Sequence, residues 1–293
     1  MRILVTGCNG QVGHSLIKQL SKYKDIIVLG CDKKNLDITN QKEVSRIVND
    51  FKPSIIINAA AYTAVDKAEN DIEMAYMVNR NGPKYLAEAA QKMNAAIIHI
   101  STDYVFDGYK SGEYDEEDLT NPQGIYGKSK LAGEIEVSNA CSKYIILRTA
   151  WVFSEYGNNF VKTMLKLGSE RDELNIVCDQ FGGPTYAGDI ASALIDISIC
   201  IFKDKPINYG IYHFSGLPHV SWYEFAKIIF YEAHTNTILN QLPKLTGIST
   251  EQYPTPTKRP SNSKLNTEKI SKEFSIKASD WKNKLSNIIL QDS

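Results

Sequence analysis

The feature that most constrains this chain is a glycine-spaced turn, Gly7-Cys-Asn-Gly-Gln-Val-Gly13, which lies between an apolar run and an amphipathic stretch. The run over residues 3–5 predicts a buried strand, because it is short and apolar. Val12, Leu16 and Leu20 follow at helical spacing and predict a helix directly after the turn. Glycine permits the tight backbone path that joins a strand to a helix so abruptly. The chain is therefore expected to begin with the strand–turn–helix unit of an α/β fold.

The same alternation continues through the first half of the chain. The strand-like runs are residues 3–5, 26–29, 55–57, 97–100 and 145–147, and the helical stretches are residues 12–20, 74–93 and 126–137. The strand-like runs lack the in/out alternation of half-exposed strands, which is typical of buried parallel sheets. Gly82-Pro83 is expected to kink or restart the second helix. The pattern predicts a doubly wound, parallel, Rossmann-type α/β sheet.

The regularity fades after about Arg148, where most of the prolines lie. We predict a dinucleotide-binding domain over residues 1–150 and a smaller, mixed α/β C-terminal substrate lobe over residues 151–293. Residues 189–200 have helical spacing, and a segment near residues 186–202 is expected to rejoin the first domain. The acidic run Asp115-Glu-Glu-Asp118 is expected to be a solvated loop.

Composition limits the classes of partner. The formal net charge of the 293 residues is -1, so the basic face of a nucleic-acid binder is not expected. The five cysteines are scattered and match neither a disulfide framework nor a zinc spacing, which indicates reduced thiols in a cytoplasmic protein. Neither an N-terminal signal nor an apolar run of the ~18 residues that span a bilayer is recognised, so no membrane partner is expected.

The glycine turn is also a candidate phosphate site. The N-terminus of the following helix would offer unpaired N–H groups to a pyrophosphate. Asp32 ends the second strand-like run 19 residues after Gly13 (32 − 13), close to the ~20 of a dinucleotide fingerprint. The spacing is GxxGxxG rather than the commoner GxGxxG, and a glycine-rich turn without a ligand is the alternative. The strand before the turn and the helix after it favour dinucleotide binding.

Two signals bear on which dinucleotide is bound. Asp32 could accept hydrogen bonds from the adenosine ribose, which favours NAD, whereas Lys33 and Lys34 could pair with a 2′-phosphate, which favours NADP. We therefore predict that both NADPH and NADH are used. The small residues after the third strand-like run would let the cofactor lie against the sheet edge. The expected cofactor contacts are Gly7, Gly10, Gln11, Val12, Gly13, Asp32, Lys33, Asp37, Ala59, Ala60, Ala61 and Lys130.

A second constellation carries the chemistry. Tyr126 and Lys130 are four residues apart, on one face of a predicted helix. A phenol has a pKa of about 10, and a nearby ammonium would lower it toward a useful range. Such a pair is common by chance, and a solvated helix face is the alternative. Thr102, however, follows the run over residues 97–100, at the carboxyl edge where open α/β sheets bind ligands. Thr102, Tyr126 and Lys130 are the predicted catalytic residues.

Longer blocks extend these motifs over nearly the whole chain. They are Asn58-Ala-Ala-Ala-Tyr-Thr-Ala-Val-Asp-Lys-Ala-Glu69, Ser101-Thr-Asp-Tyr-Val-Phe-Asp-Gly108, Tyr126-Gly-Lys-Ser-Lys-Leu-Ala-Gly-Glu134, Arg148-Thr-Ala-Trp-Val152, Gly157-Asn-Asn-Phe-Val-Lys-Thr-Met164, Asp179-Gln-Phe-Gly-Gly-Pro-Thr185 and Arg259-Pro260. With them the chain resembles the dTDP-4-dehydrorhamnose reductase family of extended short-chain dehydrogenases/reductases. The resemblance implies NAD(P)H-dependent reduction of the C4 ketone of a dTDP-4-keto-6-deoxysugar, in the last step of dTDP-L-rhamnose synthesis.

The resemblance also implies roles for individual residues. Tyr126 would protonate the sugar O4, Lys130 would bind the nicotinamide ribose and tune Tyr126, and Thr102 would orient the carbonyl. The expected substrate contacts are Ser101, Asp103, Tyr104, Trp151, Asn158, Asn159, Gln180 and Arg259. Structural alternatives stay open for several of them: a core aromatic at Trp151, a turn at Asn158-Asn159 and a surface ion pair at Arg259.

Related functions share much of this pattern. Dehydratases of the superfamily carry Thr-Asp-Glu at the strand end, and Tyr104 stands in the place of their acid. A reductase of another nucleotide-linked 4-keto sugar and an epimerase remain alternatives. So does a non-catalytic regulatory subunit resembling the β-subunit of methionine adenosyltransferase.

Some members of the resembled family form dimers bridged by a divalent cation, which acidic side chains bind. The corresponding positions in this chain are Ser15 and, most nearly, Gly188. Magnesium prefers oxygen ligands that usually include a carboxylate, which neither residue supplies. Asp189 is adjacent, but one step along a helix turns a side chain by about 100°. We therefore predict no bridging metal, and a monomer or a metal-independent dimer.

Overall fold

A computed structural model of the chain describes residues 1–203 and 205–291. The strands are β1 (Arg2–Thr6), β2 (Ile27–Cys31), β3 (Ile55–Asn58), β4 (Ala96–Thr102), β5 (Tyr144–Thr149), β6 (Val152–Phe153), β7 (Glu173–Val177), β8 (Phe181–Gly182), β9 (Thr185–Tyr186), β10 (Gly210–His213), β11 (Val220–Ser221), β12 (Lys244–Ile248) and β13 (Asn262–Ser263). The helices are α1 (Gln11–Leu20), α2 (Gln41–Phe51), α3 (Val65–Ala68), α4 (Ile72–Tyr76), α5 (Gly82–Lys92), α6 (Ile125–Ala140), α7 (Phe160–Glu170), α8 (Ala187–Phe202), α9 (Trp222–Thr235), α10 (Glu268–Phe274) and α11 (Trp281–Gln291).

The main sheet is parallel throughout, with the strand order β10-β5-β4-β3-β1-β2. From β1 the chain passes to β2 on one side and then to β3 on the other, so the strand order reverses between β1 and β3. Open α/β sheets bind ligands outside the carboxyl ends of the strands at such a point. The predicted doubly wound α/β sheet is confirmed. The sequence reading missed β10, a short strand with only one strongly apolar side chain, that of Ile211.

Helices cover both faces of the main sheet and bury an apolar core on each. On one face, Leu16 and Leu20 of α1 pack in a cluster with Ile190 and Leu194 of α8. On the other face, side chains of α2, α5 and α6 form a second cluster. The helix predicted over residues 189–200 thus lies within α8 and packs on the main sheet.

A third cluster lies away from the main sheet, where α7, α9 and α11 surround β7. Phe225 and Trp281 are fully buried in it, with their rings edge to face at 5.2 Å. The predicted domain boundary between residues 150 and 151 stays a prediction. Both α8 and β10 come after this boundary in the chain, and both pack with the main sheet.

The helical stretch predicted over residues 74–93 changes its winding before Gly82-Pro83, rather than at it. A π-helical turn over Met77–Asn81 joins α4 to α5, and the Gly82 N–H donates to the Met77 carbonyl. Pro83 lacks the N–H that would continue the α-helical ladder, which leaves room for a wider turn. The turn buries Asn79, whose amide bonds the Tyr62 backbone and the Ser129 hydroxyl.

The acidic run is less solvated than predicted. The Glu116 carboxylate accepts a hydrogen bond of 2.8 Å from the His213 N–H, and Asp118 accepts from the Lys110 ammonium. Two of its four side chains therefore tie the loop to β10 and to a neighbouring turn. Among the described residues, no helix is long and apolar enough to cross a membrane.

Candidate active site

A groove of about 970 Å³ opens at the carboxyl edge of the main sheet, over the switch point between β1 and β3. It collects most of the predicted site residues. Those in its wall are Gly7, Gly10, Gln11, Val12, Asp32, Lys33, Asp37, Ala59, Ala60, Ala61, Ser101, Thr102, Asp103, Tyr104, Tyr126, Lys130, Trp151 and Asn158. Gly13, Asn159, Gln180 and Arg259 lie outside this wall.

The glycine turn is built so closely that side chains do not fit at its ends. Gly7 has φ of 69°, and a Cβ there would lie 2.6 Å from the Ala60 nitrogen. A Cβ on Gly13 would lie 2.1 Å from the Gly7 carbonyl oxygen. Gly10 is the N-cap residue of α1, and among the described residues no side chain caps the helix at this end. The first turn of α1 also carries no acidic side chain. The first N–H groups of this ten-residue helix are thus open to an anion, as a dinucleotide pyrophosphate requires.

Asp32 and the two lysines after it lie at the end of β2. The Asp32 carboxylate accepts hydrogen bonds from the Asn9 amide at 2.9 Å and from the Lys34 N–H at 3.0 Å. Lys33 lines the groove and Lys34 lies outside the lining, so the structure separates the two predicted phosphate partners. Asp37 also lines the groove, and its carboxylate accepts from the Thr39 hydroxyl at 2.7 Å.

Gln11 connects the glycine turn to the second half of the chain. Its side-chain oxygen accepts from the Ser154 hydroxyl at 2.9 Å and from the Asn159 amide at 3.1 Å. Gln11 would therefore contact the cofactor through its backbone or through the NH2 group of its side-chain amide.

Thr102, Tyr126 and Lys130 converge on one end of the groove. Thr102 ends β4, and Tyr126 and Lys130 stand one turn apart at the start of α6. A Cβ on Gly127 would lie 2.2 Å from the Tyr104 carbonyl, so glycine lets α6 press against the turn that follows β4. The Thr102 hydroxyl donates to Asp103 at 3.1 Å and accepts from the Tyr104 N–H at 3.2 Å.

The electrostatics of the pair differ from the expectation. Burial raises the pKa of the Tyr126 phenol, a hydrogen bond with Thr102 opposes that rise, and the Asp103 charge adds to it. The Lys130 Nζ donates to the Ile100 carbonyl at 2.6 Å. Burial lowers the pKa of Lys130 to about 8, which Glu134 partly opposes. Without a ligand, Tyr126 is a protonated phenol rather than a poised phenolate.

Three buried polar atoms beside Thr102 have no hydrogen-bond partner among the described residues: the Ser101 Oγ, the Asp103 Oδ2 and the Oγ1 of Thr149, which pairs with Thr102 across the sheet. Burial raises the pKa of Asp103 to about 6, although the neighbouring Ser263 and Thr102 side chains lower it. Buried polar atoms normally find partners, so unpaired ones at a groove indicate a place where a ligand completes the bonding.

Tyr104 and Arg259 meet at the edge of the groove. The Arg259 guanidinium donates to the Tyr104 hydroxyl at 3.1 Å and pairs with Asp66. The Tyr104 ring stands edge to face with the Tyr126 ring, 5.4 Å between centroids. Arg259 therefore forms a half-buried ion pair behind the groove wall. This is close to the surface ion pair that was the alternative to a substrate contact.

Trp151 is both a wall of the groove and a packing residue. Its ring stacks on Trp222 with 3.5 Å between centroids, and its φ of 48° is unusual for a bulky side chain. A Cβ on Gly182 would lie 2.6 Å from the Trp151 ring, so a glycine is needed behind the indole. Stacking and close packing thus fix the ring at the groove.

Two of the predicted substrate contacts are used inside the protein instead. The Asn159 amide caps α7 by accepting from the Lys162 N–H at 3.2 Å, and it donates to the Ser154 carbonyl at 2.7 Å. The Gln180 amide is buried and donates to the Thr250 hydroxyl at 3.1 Å. Asparagine favours helix N-caps, which explains why it occurs beside the groove without facing it.

Sequence reasoning missed several residues of this site, among them a buried histidine and a second tryptophan. His99 lies on β4 beneath Lys130, and Trp222 lines the groove behind Trp151. A signal for His99 was available, since a titratable side chain stood inside an apolar run predicted to be a buried strand. Trp222 offered no such signal, because its position depends on the packing of α9.

The positions compared with metal ligands have other contacts. The Ser15 hydroxyl donates to the Gln11 carbonyl at 3.0 Å, and Asp189 accepts from the Ser279 hydroxyl at 2.7 Å. Within residues 1–203 and 205–291, no group of three or more His, Cys, Asp or Glu side chains is arranged to hold a metal ion.

Comparisons with known proteins agree over the full length. The family model described as the RmlD substrate binding domain matches residues 1–293. The chain is 54% identical to a dTDP-4-dehydrorhamnose reductase of Aggregatibacter actinomycetemcomitans, over 98% of both chains. A solved dTDP-4-dehydrorhamnose reductase of Clostridium acetobutylicum is 43% identical, with a TM-score of 0.90 over 99% of both chains. That of Bacillus anthracis, solved in complex with NADP, is 40% identical, with a TM-score of 0.89 over 99% of both chains.

Proposed function

This chain belongs to the RmlD substrate binding domain family, and on that premise we propose that it reduces the C4 ketone of dTDP-4-dehydro-L-rhamnose to give dTDP-L-rhamnose. The observation that supports this most is the shared groove, in which the glycine turn and Thr102, Tyr126 and Lys130 open onto one cavity at the sheet edge. A hydride donor and a ketone would have to meet there for the reaction to occur.

The residues of the groove divide the work of a ketone reduction. The reduced nicotinamide, when bound, supplies the hydride that C4 accepts. Tyr126 supplies the proton that O4 needs, and its raised pKa keeps that proton on the phenol at neutral pH. Thr102 orients the carbonyl oxygen through its hydroxyl, next to Tyr126. Lys130 would hold the ribose hydroxyls, and with its Nζ turned from the Ile100 carbonyl into the groove its positive charge would stabilise the phenolate left on Tyr126.

The unpaired atoms beside the catalytic residues fit a sugar. Ser101 and Asp103 would bond its hydroxyls, while Tyr104, Trp151 and Asn158 would form the wall around it. Asn159, Gln180 and Arg259 would act one layer behind, because their polar atoms already bond within the protein.

We further propose that both NADPH and NADH are accepted. Asp32 offers a carboxylate to a ribose diol, and Lys33 in the groove wall offers charge to a 2′-phosphate. The test is the double change Lys33→Ala with Lys34→Ala, which should weaken NADPH selectively. The single changes should divide this effect unequally, with most of it at Lys33. NADPH and NADH kinetics that are both unchanged would refute the assignment.

Coupled turnover tests the proposed reaction. The full chain is supplied with dTDP-4-keto-6-deoxyglucose, a 3,5-epimerase and NADPH, and the loss of NADPH absorbance and the sugar product are followed. We expect cofactor loss in equal amount to dTDP-L-rhamnose formed. Conversion of the sugar beyond that given by the 3,5-epimerase alone, without net cofactor loss, would favour an epimerase. Binding to an adenosyltransferase without ketone-dependent oxidation would favour a regulatory subunit.

We propose that assembly does not depend on a bridging metal, so the chain is a monomer or a metal-independent dimer. The support is the chemistry of Ser15 and Gly188, which supply no carboxylate. EDTA treatment, followed by light scattering and an activity assay, should change neither mass nor rate. A dimer and an activity that are both lost, and both restored by magnesium, would contradict this.

A further inference from the structure

A buried histidine reaches the amine of Lys130 from inside the main sheet. His99 lies on β4 with 0% of its surface exposed, and its Nε2 is 3.3 Å from the Lys130 Nζ. Its other ring nitrogen, Nδ1, is 3.0 Å from the Asn58 Nδ2. The proposed reaction gives a role to Lys130 and none to His99.

The orientation of the Asn58 amide follows from its other contacts. The Ala60 N–H donates to the Asn58 Oδ1 at 3.1 Å, and the Thr6 hydroxyl donates to it at 2.7 Å. A backbone N–H can only donate, so the atom that it meets is the amide oxygen. The end of the amide that faces His99 is therefore the nitrogen, which donates. It follows that the His99 Nδ1 accepts and carries no proton.

A neutral imidazole with a bare Nδ1 carries its proton on Nε2. Burial lowers the pKa of His99 well below its ordinary value, and the Lys130 charge lowers it further, so the ring is neutral. The His99 Nε2–H therefore points at the Lys130 Nζ. An N–H cannot accept a hydrogen bond from an ammonium, and only a neutral amine has the lone pair to accept from the N–H.

The other groups around the Lys130 Nζ are compatible with both its charged ammonium form and its neutral amine form. The Ile100 carbonyl accepts from it at 2.6 Å in either charge state. Glu134, on the same helix, favours the charged form, but its carboxylate is engaged with Arg148 of β5 at 2.7 Å. Tyr126 lies one turn back on the same helix, and Asp103 stands beyond it at the groove.

We propose that His99 is a positioning residue for Lys130: its fixed Nε2–H denies the charged Nζ a second acceptor inside the sheet and so favours its placement in the groove. The inference rests on the proposed function, in which the ammonium holds the nicotinamide ribose. Thr6 and Asn58 fix the ring from behind. A ribose that offers hydroxyl acceptors in the groove then competes with the Ile100 carbonyl alone.

The protonation state can be measured on the unaltered protein. In the full chain labelled with [15N]histidine, the His99 signals are those that disappear in His99→Gln. We expect a ring with an unprotonated Nδ1 and a protonated Nε2 across neutral pH. The opposite tautomer, or an imidazolium, would overturn the proposal.

A matched pair of variants separates this role from simple packing. His99→Gln places an acceptor beside the Nζ, whereas His99→Leu, of similar volume, places none. Because a hydrogen bond to a charged group is strong, Gln should raise the Kd for NADPH by about tenfold or more, and Leu by clearly less. A structural role predicts the reverse order, since Leu also leaves Asn58 without a partner.

Direct titration of NADPH by fluorescence keeps this test separate from the proposed reaction, because it needs no ketone. A Leu variant that loses as much affinity as the Gln variant, or more, would overturn the positioning role. An unaltered chain that binds no NADPH would instead refute the proposed function.

Discussion

The predicted site residues at the carboxyl edge of the main sheet and those in the loops after residue 150 use their polar side chains differently. At the sheet edge, the buried Ser101 Oγ and Asp103 Oδ2 lack partners in the described part of the chain. In the later loops, Asn159 caps a helix and Gln180 bonds Thr250. A buried polar group without a partner costs stability, so it persists where a ligand can satisfy it. Among the predicted site residues, unpaired groups therefore distinguish those at the groove from those that bond within the protein.

The largest effect should come from removing the proton donor at the sheet edge. Tyr126→Phe keeps the ring and its contact with Tyr104 but removes the hydroxyl. General acid catalysis is typically worth about 10²–10⁴-fold, so kcat should fall by that much while the Kd for NADPH hardly changes. Tyr231→Phe, at an exposed tyrosine of α9, is the matched control and should keep full turnover. A Tyr126 variant that retains most of its turnover would remove Tyr126 as the donor.

Two glycines of the turn after β1, Gly10 and Gly13, should differ in their response to replacement by alanine. A Cβ on Gly13 would lie 2.1 Å from the Gly7 carbonyl oxygen, whereas on Gly10 it would lie 3.3 Å from the same atom. Overpacking of this kind typically costs about 1–3 kcal/mol. Gly13→Ala should therefore lower the free energy of unfolding and weaken NADPH binding much more than Gly10→Ala. Urea unfolding and cofactor titration measure both, and equal losses would contradict the close-turn explanation.

The ionisation of Asp103 should lower the free energy of unfolding as the pH rises. Its pKa is raised from 3.8 to about 6, so the folded state binds the proton more tightly than the unfolded state does. Stability is then lost as the pH rises from about 4 to about 6, and the full loss of about 2–3 kcal/mol is present at pH 7.5. Asp103→Asn should remove this loss while impairing turnover.

The measurement is urea unfolding at pH 4.5 and pH 7.5. The Asn variant should gain stability over the unaltered chain at pH 7.5 and much less at pH 4.5. Asp25→Asn, at an exposed aspartate, serves as the control and should show no such difference. An equal change at both pH values would mean that ionisation of Asp103 is not the cause.

The smallest effect should come from the adjacent asparagines. Asn159→Ala removes a helix cap and should cost about 1 kcal/mol of unfolding free energy. Asn158→Ala, in the groove wall, should raise the KM for the nucleotide sugar with little change in stability. Thermal unfolding and steady-state kinetics together decide this. If Asn159→Ala instead raised KM without loss of stability, the contrast between the two regions would fail.

Sequence reasoning went furthest where the backbone itself selects the residue. The glycine turn, the apolar strands and the Tyr126/Lys130 pair each leave a local pattern, because tight turns, buried strands and one-turn spacing restrict what can occur there. No local sequence pattern predicts the unpaired Oδ2 of Asp103, the hydrogen bond of Gln180 or the approach of His99 to Lys130. They depend on which side chains meet after β4, α6 and the later loops pack together.

We propose that the carboxyl edge of the main sheet delivers a hydride and a proton to a C4 ketone. Transfer of deuterium from the cofactor to the sugar tests this reaction. The chain is given dTDP-4-dehydro-L-rhamnose, formed in situ, and NADPH carrying transferable deuterium at C4 of the nicotinamide, and the sugar is analysed by NMR. We predict one deuterium at C4 of dTDP-L-rhamnose for each NADPH consumed. A reduced or epimerised sugar without deuterium at C4, or unconsumed cofactor, would contradict the claim.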